Sequence, residues 1–157
     1  MCAGVNHRME TLFNMYSGYG SVDSSAMIRN IMVHVGWQQF LQTPFLGTGI
    51  GSSGELLLPI VGWRTYFHNN FIELLATGGI FGVFFYYLLL LIPAINLWKQ
   101  RNSGDKNTWL CLILIALLLM MDLGSVSYYS KNTYFYIMLF FIQVQMNTRR
   151  LKEKINE

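Results

Sequence analysis

The feature that most constrains this chain is a run of 25 residues without a charged side chain, Leu74 to Trp98. About 20 apolar residues in a helix cross the hydrocarbon core of a bilayer. The run therefore predicts a membrane-spanning helix over 72–98. Shorter uncharged runs of 15 and 17 residues follow. They predict two further spans, near 108–126 and 132–147, and the last needs snorkelling side chains at its ends.

The composition also favours a membrane protein. The chain is 53% hydrophobic and 12% charged, about half the charge of a soluble domain. This hydrophobicity excludes intrinsic disorder, and a net charge of +3 without a basic patch does not indicate nucleic acid. Cys2 lies outside the predicted spans and Cys111 lies within one, so we expect no disulfide between them. The expected partner is the lipid bilayer.

The distribution of basic residues predicts the orientation, because Lys and Arg favour cytoplasmic loops. Seven of the eleven lie in the 99–106 loop and the tail at 149–157, whereas residues 1–70 contain three: Arg8, Arg29 and Arg64. We therefore expect residues 1–70 outside and the 99–106 loop and the basic C-terminal tail in the cytoplasm. The predicted fold is all-α, a multi-span membrane protein with an outer helical loop region before three transmembrane helices.

An outer segment of 70 residues must be carried across the membrane. Either the first span exports its own N-terminus, or the chain is the C-terminal part of a longer protein. We favour the second interpretation. The missing N-terminal spans of the same protein are then expected partners.

Residues 24–43 of the outer region predict a helix. Ser24 or Ser25 is suited to the N-cap, and Pro44 ends the helix at or before Thr43. Polar residues recur at every fourth position, at Asn30, His34, Gln38 and Gln42. Arg29 lies off this stripe on a mostly apolar face, which by itself favours an arginine that snorkels at the membrane surface.

Two further segments of the predicted outer region, residues 44–54 and the residues around His68, each allow a structural and a functional interpretation. The glycine-rich stretch 44–54, with Gly47 and Gly49, either lets the backbone approach a ligand closely or makes a turn. It is neither a P-loop nor a dinucleotide fingerprint. His68 precedes the predicted start of the first span, where the helix N-terminus should offer free N–H groups to an anion. His68 is therefore either a neutral base or an interfacial hydrogen-bonding residue.

Local patterns also predict structural roles. Asn70 and Glu73 fit a capping box at the start of the first span. Gly78 and Gly82 form a GxxxG pattern, which indicates close helix packing. Asp122 is an acid near the end of the second span, and we place it in the outer headgroup region rather than at a functional site within the membrane. No cluster of His and Cys has metal-ligand spacing, so we expect no metal and no cofactor.

These motifs occur in an order that resembles the O-antigen ligase and O-antigen polymerase family, over roughly residues 20–98. An arginine opens a helix that ends in Pro-x-x-Gly-x-Gly, and His-Asn then precedes a span that begins with Glu and contains Gly-Ile-x-Gly. The matching positions are Arg29, Pro44, Gly47, Gly49, His68, Asn69, Glu73, Gly79, Ile80 and Gly82.

The resemblance implies transfer or polymerisation of polyprenyl-diphosphate-linked oligosaccharide units outside the membrane, in cell-surface polysaccharide synthesis. It implies that Arg29 contacts the diphosphate and that His68 assists the acceptor, with Arg64, Asn69, Gly47 and Gly49 in substrate binding. The compact outer loop favours a polymerase over a ligase. Because family members have many more spans, we expect the 157-residue chain alone to be inactive.

Two alternatives are kept. The first is a non-catalytic fragment or a small multi-pass subunit that only packs against other helices. The second is a fragment of a transporter, in which Asp122 would be the coupling site.

Overall fold

The computed structural model describes residues 24–103 and 105–156. Within those residues the chain has five α-helices, a short 3₁₀ turn at Arg101–Ser103 and no strand. The helices are α1 Ser24–Gln42, α2 Ser53–Val61, α3 Asn70–Lys99, α4 Lys106–Met121 and α5 Lys131–Asn156. The predictions for Cys2 and Arg8 fall outside the described residues.

Helix α1 spans Ser24–Gln42, where the sequence predicts a helix over 24–43. The helix ends at Gln42 because Thr43, the residue before Pro44, is disfavoured in the helical region. The polar side chains of Asn30, His34, Gln38 and Gln42 are all exposed. The opposite side, with Met32 and Gly36, is buried against α3. A Cβ on Gly36 would overlap the side chain of Ile72, so this glycine permits the close approach of the two helices.

Helix α3 is the central element, because α1, α2, α4 and α5 all pack against it. Its 30 residues make it about 45 Å long at 1.5 Å per residue. Among the described residues only α3 is long and apolar enough to cross a membrane by itself, while α4 is apolar but has 16 residues. The multi-span arrangement therefore remains a proposal for α4 and α5.

Two apolar clusters flank α3. The outer cluster joins α1, α2 and the start of α3 through Met32, Leu57, Phe67, Ile72 and Ala76. The three-helix cluster joins α3, α4 and α5 through Leu74, Tyr86, Leu90, Leu97, Ile115, Tyr128, Ile137 and Phe140. Burial from water stabilises the outer cluster by about 1.5–3 kcal/mol per large side chain, whereas helices within a membrane associate through van der Waals packing and interhelical hydrogen bonds instead.

Helix α3 is interrupted at Gly79, whose φ of 63° and ψ of −163° lie outside the helical region. The loop after α1 enters the gap. Thr48 and Gly49 donate their N–H groups to the carbonyls of Ala76 and Thr77, at 3.1 and 2.8 Å. A regular helix would bond those carbonyls to the N–H groups of Ile80 and Phe81 four residues on.

The two displaced N–H groups have partners in the same loop. Ile80 N–H donates to the carbonyl of Pro44 at 2.8 Å, and Phe81 N–H donates to the carbonyl of Phe45 at 3.3 Å. Two helical bonds are thus exchanged for four bonds to the loop. We call this paired segment, Pro44–Gly49 on Ala76–Phe81, the loop clasp.

The prediction that Gly78 and Gly82 mediate helix packing is wrong for Gly78, because a Cβ there would meet nothing within 4 Å. The close approach occurs one residue later. A Cβ on Gly79 would overlap the backbone of Phe45 and Leu46, and a Cβ on Gly47 would overlap the backbone of Thr77 and Gly78.

We expect Gly79→Ala to lower the free energy of unfolding by at least about 2 kcal/mol, because its backbone conformation is restricted to glycine and the added methyl group overlaps the loop. Gly78→Ala is the matched control, since the added methyl group meets open space. Thermal unfolding of the chain in detergent should place Gly79→Ala several degrees below the wild type and Gly78→Ala within about one degree of it or above it. Equal losses for the two variants would contradict the clasp.

At the far end of α3, polar side chains join α4 to α5. Asp105 caps α4 by accepting the N–H of Asn107 at 3.0 Å, and it pairs with Arg150 at 2.6 Å. These donors lower the pKa of Asp105. Gln143 also donates to Asp105, and Asn147 donates to Thr108 at 2.8 Å.

Candidate active site at the start of the central helix

His68 lies in the turn that leads into α3 and has a φ of 54°. Non-glycine residues rarely adopt this left-handed conformation, although histidine does so more often than most. The buried side chain of Phe67 anchors the turn on one side. The ring of Tyr66 lies 4.3 Å from the imidazole, centroid to centroid. The side chain of His68 is half-buried and held in a defined orientation.

Glu73 holds this turn from within α3. Its carboxylate is fully buried, and Oε2 accepts the N–H of Phe67 at 2.9 Å. Oε1 accepts the hydroxyl of Tyr129 at 3.3 Å, from the α4–α5 connection. The predicted capping box is therefore wrong. The N-cap is Asn69, whose side chain accepts the N–H of Ile72 at 3.0 Å, and Glu73 reaches two residues further back.

Asn70 ties the start of α3 to the α4–α5 connection. Its backbone N–H donates to the carbonyl of Asp122 at 2.8 Å, and its Nδ2 donates to Asp122 Oδ2 at 3.2 Å. Its Oδ1 accepts the N–H groups of Ser127 and Tyr128, at 3.0 and 3.1 Å. Ser127 donates in turn to Asp122 and exchanges a hydrogen bond with Tyr86 at 2.6 Å. Asp122 is thus buried in a satisfied polar network.

The N-terminus of α3 is less available to an anion than the sequence suggests. The N–H of Asn70 is bonded to Asp122, the N–H of Ile72 to the Asn69 side chain, and the N–H of Glu73 to the Asn69 carbonyl at 2.9 Å. The Glu73 bond is the ordinary helical one, so two of the first-turn groups expected to be free have protein partners. We therefore expect an anion to bind here with the help of a positive side chain.

Arg29 provides that charge. This residue is exposed on α1, two turns before Gly36, and Gly36 packs against Phe67 beside the His68 turn. Partial burial and the Arg29 charge lower the pKa of His68, while the carboxylate of Glu73 opposes them. A lowered pKa favours the neutral imidazole, which is the form able to accept a proton.

We expect Arg29→Gln to raise the pKa of His68, because the substitution removes a positive charge that disfavours the imidazolium. A ¹H–¹⁵N titration of the His68 ring in the labelled chain measures the shift. Arg64→Gln is the matched control and should leave the titration unchanged, since Arg64 is paired with Glu55 at 2.8 Å on the surface. A His68 pKa that is the same in both variants would contradict the proximity of Arg29.

The other predicted substrate-binding residues have structural partners. Asn69 caps α3 and donates to the carbonyl of Leu123 at 3.3 Å. Gly47 and Gly49 both have positive φ and belong to the loop clasp, with Gly47 against α3 and open space at Gly49. Arg64 and Glu55 are both largely exposed. The close backbone approach of the glycine loop is thus to α3. No group of three His, Cys, Asp or Glu side chains in the described part of the chain is arranged to hold a metal.

Glu73 and Asn70 were predicted only as capping residues, and Ser127, Tyr128 and Tyr129 were not singled out as part of the site. A sequence pattern could have predicted them. The pair Asn69–Asn70 precedes a long apolar run, and polar residues are clustered in the turn before Lys131, which is predicted on the same side of the membrane. These two segments meet in the folded chain because α3 and α4 are antiparallel neighbours, so that the start of α3 lies beside the end of α4.

Comparison with known protein families shows that Arg29, His68 and Glu73 lie within a region of known family. The family model for O-antigen ligase matches residues 1–87, which include α1, α2, the His68 turn and the first half of α3. The chain belongs to the O-antigen ligase family. Members of the O-antigen ligase family are membrane proteins with a glycan ligase function that uses a lipid-linked glycan.

A related protein adds a more distant comparison. The chain is 26% identical over 132 residues to a ComP-specific O-oligosaccharyltransferase of Acinetobacter baylyi. This match covers 76% of the chain and 23% of the relative, so the chain spans about a quarter of the length of that relative.

Proposed function

We propose that this chain carries the outer transfer site of an O-antigen ligase-family enzyme, which moves a glycan from a polyprenyl-diphosphate carrier to an acceptor hydroxyl. The observation that supports this best is the packing of α1, which carries Arg29, against Phe67 and Ile72 on either side of the His68 turn, at Gly36. The charge of Arg29 also acts to lower the pKa of His68. A cation and a base are the two groups that displacement of a diphosphate by a hydroxyl requires.

Arg29 binds the diphosphate. Its planar guanidinium donates two parallel hydrogen bonds to phosphate oxygens, which offsets part of the negative charge of the leaving group. Because the first-turn N–H groups of Asn70 and Ile72 are bonded to protein, Arg29 supplies positive charge that the helix start alone does not offer.

His68 acts as the general base. The acceptor hydroxyl attacks the anomeric carbon, so a new carbon–oxygen bond forms there while the bond from that carbon to the phosphate oxygen breaks. The hydroxyl proton passes to the imidazole, and the polyprenyl diphosphate leaves. Positioned proton transfer of this kind contributes roughly 10²–10⁴-fold to a rate. Glu73 supports the base by fixing the turn through the N–H of Phe67.

In the membrane arrangement that we propose, α3, α4 and α5 all span the bilayer near 72–98, 108–126 and 132–147, with α4 contributing Lys106–Met121 to the second span. The 99–106 loop and the basic tail then face the cytoplasm, and Arg29 and His68 lie outside. The site works together with further spans, in keeping with the greater length of the related transferase.

The test is deletion of the gene in the organism that encodes it. We expect polyprenyl-diphosphate-linked glycan to accumulate in the membrane fraction and its transfer product to disappear, with both effects reversed by the wild-type gene. Lipid extraction and mass spectrometry measure the carrier. Product chains longer than one repeat unit would favour polymerisation, and single-unit products on an acceptor would favour ligation. Unchanged carrier and product levels would favour a non-catalytic subunit instead.

A further inference from the structure

The loop between α1 and α2 exposes apolar side chains. Phe45, Leu46 and Ile50 are 66%, 75% and 74% exposed. They lie within a second uncharged run, from Asn30 to Gly54, that the predicted spans do not include. Soluble loops rarely combine such exposure with a complete absence of charge, and a contiguous apolar patch marks an interaction surface.

The depth of this loop follows from the loop clasp. Its backbone is hydrogen-bonded to α3 between Ala76 and Phe81. The hydrocarbon core is about 30 Å thick and takes about 20 helical residues. Counted back from Trp98, an interfacial aromatic residue next to Lys99, the outer boundary of the core falls near Gly79. The loop therefore lies at the level of the outer hydrocarbon boundary.

The exposed side chains continue the apolar surface of α3. The Phe45 ring lies 6.3 Å from the Phe81 ring, centroid to centroid, and Phe81, Phe84 and Phe85 are themselves exposed along the helix. Irregular backbone is tolerated at membrane depth only when its polar groups have protein partners. Three of the six N–H groups of Phe45–Ile50, those of Gly47, Thr48 and Gly49, donate to backbone carbonyls, which suits a loop whose backbone stays at the hydrocarbon boundary.

We propose that the segment Phe45–Ile50 is a membrane-inserted loop whose apolar side chains lie among the acyl chains of the outer leaflet. The occupant of this surface is lipid hydrocarbon, continuous with the lipid around α3. The loop thereby fixes the height of the outer region relative to the membrane surface, independently of any transfer reaction.

The experiment measures quenching by nitroxide lipids. The full chain, with Cys2 and Cys111 replaced by alanine, receives a single cysteine at Leu46, carries an NBD fluorophore there and is reconstituted in phosphatidylcholine vesicles. Nitroxides near the top of the acyl chain provide the quencher. Phe85→Cys is the control for a side chain on α3 within the bilayer, and Glu55→Cys is the control for an exposed polar position on α2. Ile50→Cys repeats the measurement at a second loop position.

We expect the probes at Leu46 and Ile50 to be quenched at least half as strongly as the probe at Phe85, and the probe at Glu55 to be quenched little. Loop probes as weakly quenched as Glu55 would overturn the proposal, because water or protein would then cover the loop. An unquenched probe at Phe85 would overturn it too, since α3 would lie outside the bilayer. The readout needs no turnover, so its failure is separate from failure of the proposed transfer activity.

Discussion

Replacement of His68 by alanine is expected to lower the transfer rate by roughly 10²–10⁴-fold, the loss typical of a removed general base. The substitution should be introduced into the chromosomal gene, so that any larger assembly that contains the protein stays intact. Initial rates of product formation in isolated membranes measure the effect. The protein level on an immunoblot reports whether the variant still accumulates.

A second substitution separates chemistry from folding at this position. Alanine is strained at the positive φ of His68, whereas asparagine adopts that conformation more readily. Asparagine is also no base near neutral pH. His68→Asn should therefore accumulate normally and lose activity to the same extent as His68→Ala. His34→Ala, at an exposed position of α1, should be fully active. Equal losses in His34→Ala and His68→Asn, at normal protein levels, would show that His68 is not the base.

Replacement of Arg29 by lysine is expected to lower the transfer rate by roughly 10–100-fold, because lysine retains the charge but loses one of the two parallel hydrogen bonds to the diphosphate. Since the charge is retained, the pKa of His68 should stay below its ordinary value, and the pH dependence of the remaining activity should change little. Rates measured across a pH series in isolated membranes test both statements. Arg101→Lys, at the opposite end of α3, is the matched control and should be fully active.

Full activity of Arg29→Lys would mean that Arg29 only snorkels at the membrane surface, where lysine serves equally well. The diphosphate contact would then pass to Arg64, the other arginine of the described outer region. Arg64 must first leave its ion pair with Glu55. A loss of transfer activity in Arg64→Lys, together with full activity in Arg29→Lys, would show that Arg64 and not Arg29 contacts the diphosphate.

The resemblance of the motifs correctly predicted the family, and local chemistry accounts for the helix ends that lie near their expected positions. Pro44 follows the end of α1 and a long apolar run forms α3, because both signals act within a few residues. The register at the start of α3 was wrong by one residue. Asn69 and Asn70 are chemically identical as caps, and the choice between them depends on Asp122 and Leu123, more than 50 residues away.

The break in α3 was also beyond local prediction. The pair Gly78–Gly79 is compatible both with close packing between two helices and with a break in one helix. The neighbouring residues do not distinguish these two structures. The interruption exists because the loop that precedes α2 in the chain supplies both hydrogen-bond donors and acceptors to α3. The proximity of Arg29 to His68 has the same origin, since it depends on how α1 packs across α3 at Gly36.

The loop clasp has a consequence for the division of the chain at residue 70. This predicted boundary does not separate two independent parts, because residues 44–49 are hydrogen-bonded to α3. If residues 44–49 were deleted, the carbonyls of Ala76 and Thr77 and the N–H groups of Ile80 and Phe81 would lose their loop partners. Because unsatisfied backbone groups are costly in a membrane, α3 would then close into a regular helix in which these four groups pair with one another. A shortened version that begins at the span would therefore form an uninterrupted helix, without the native break at Gly79.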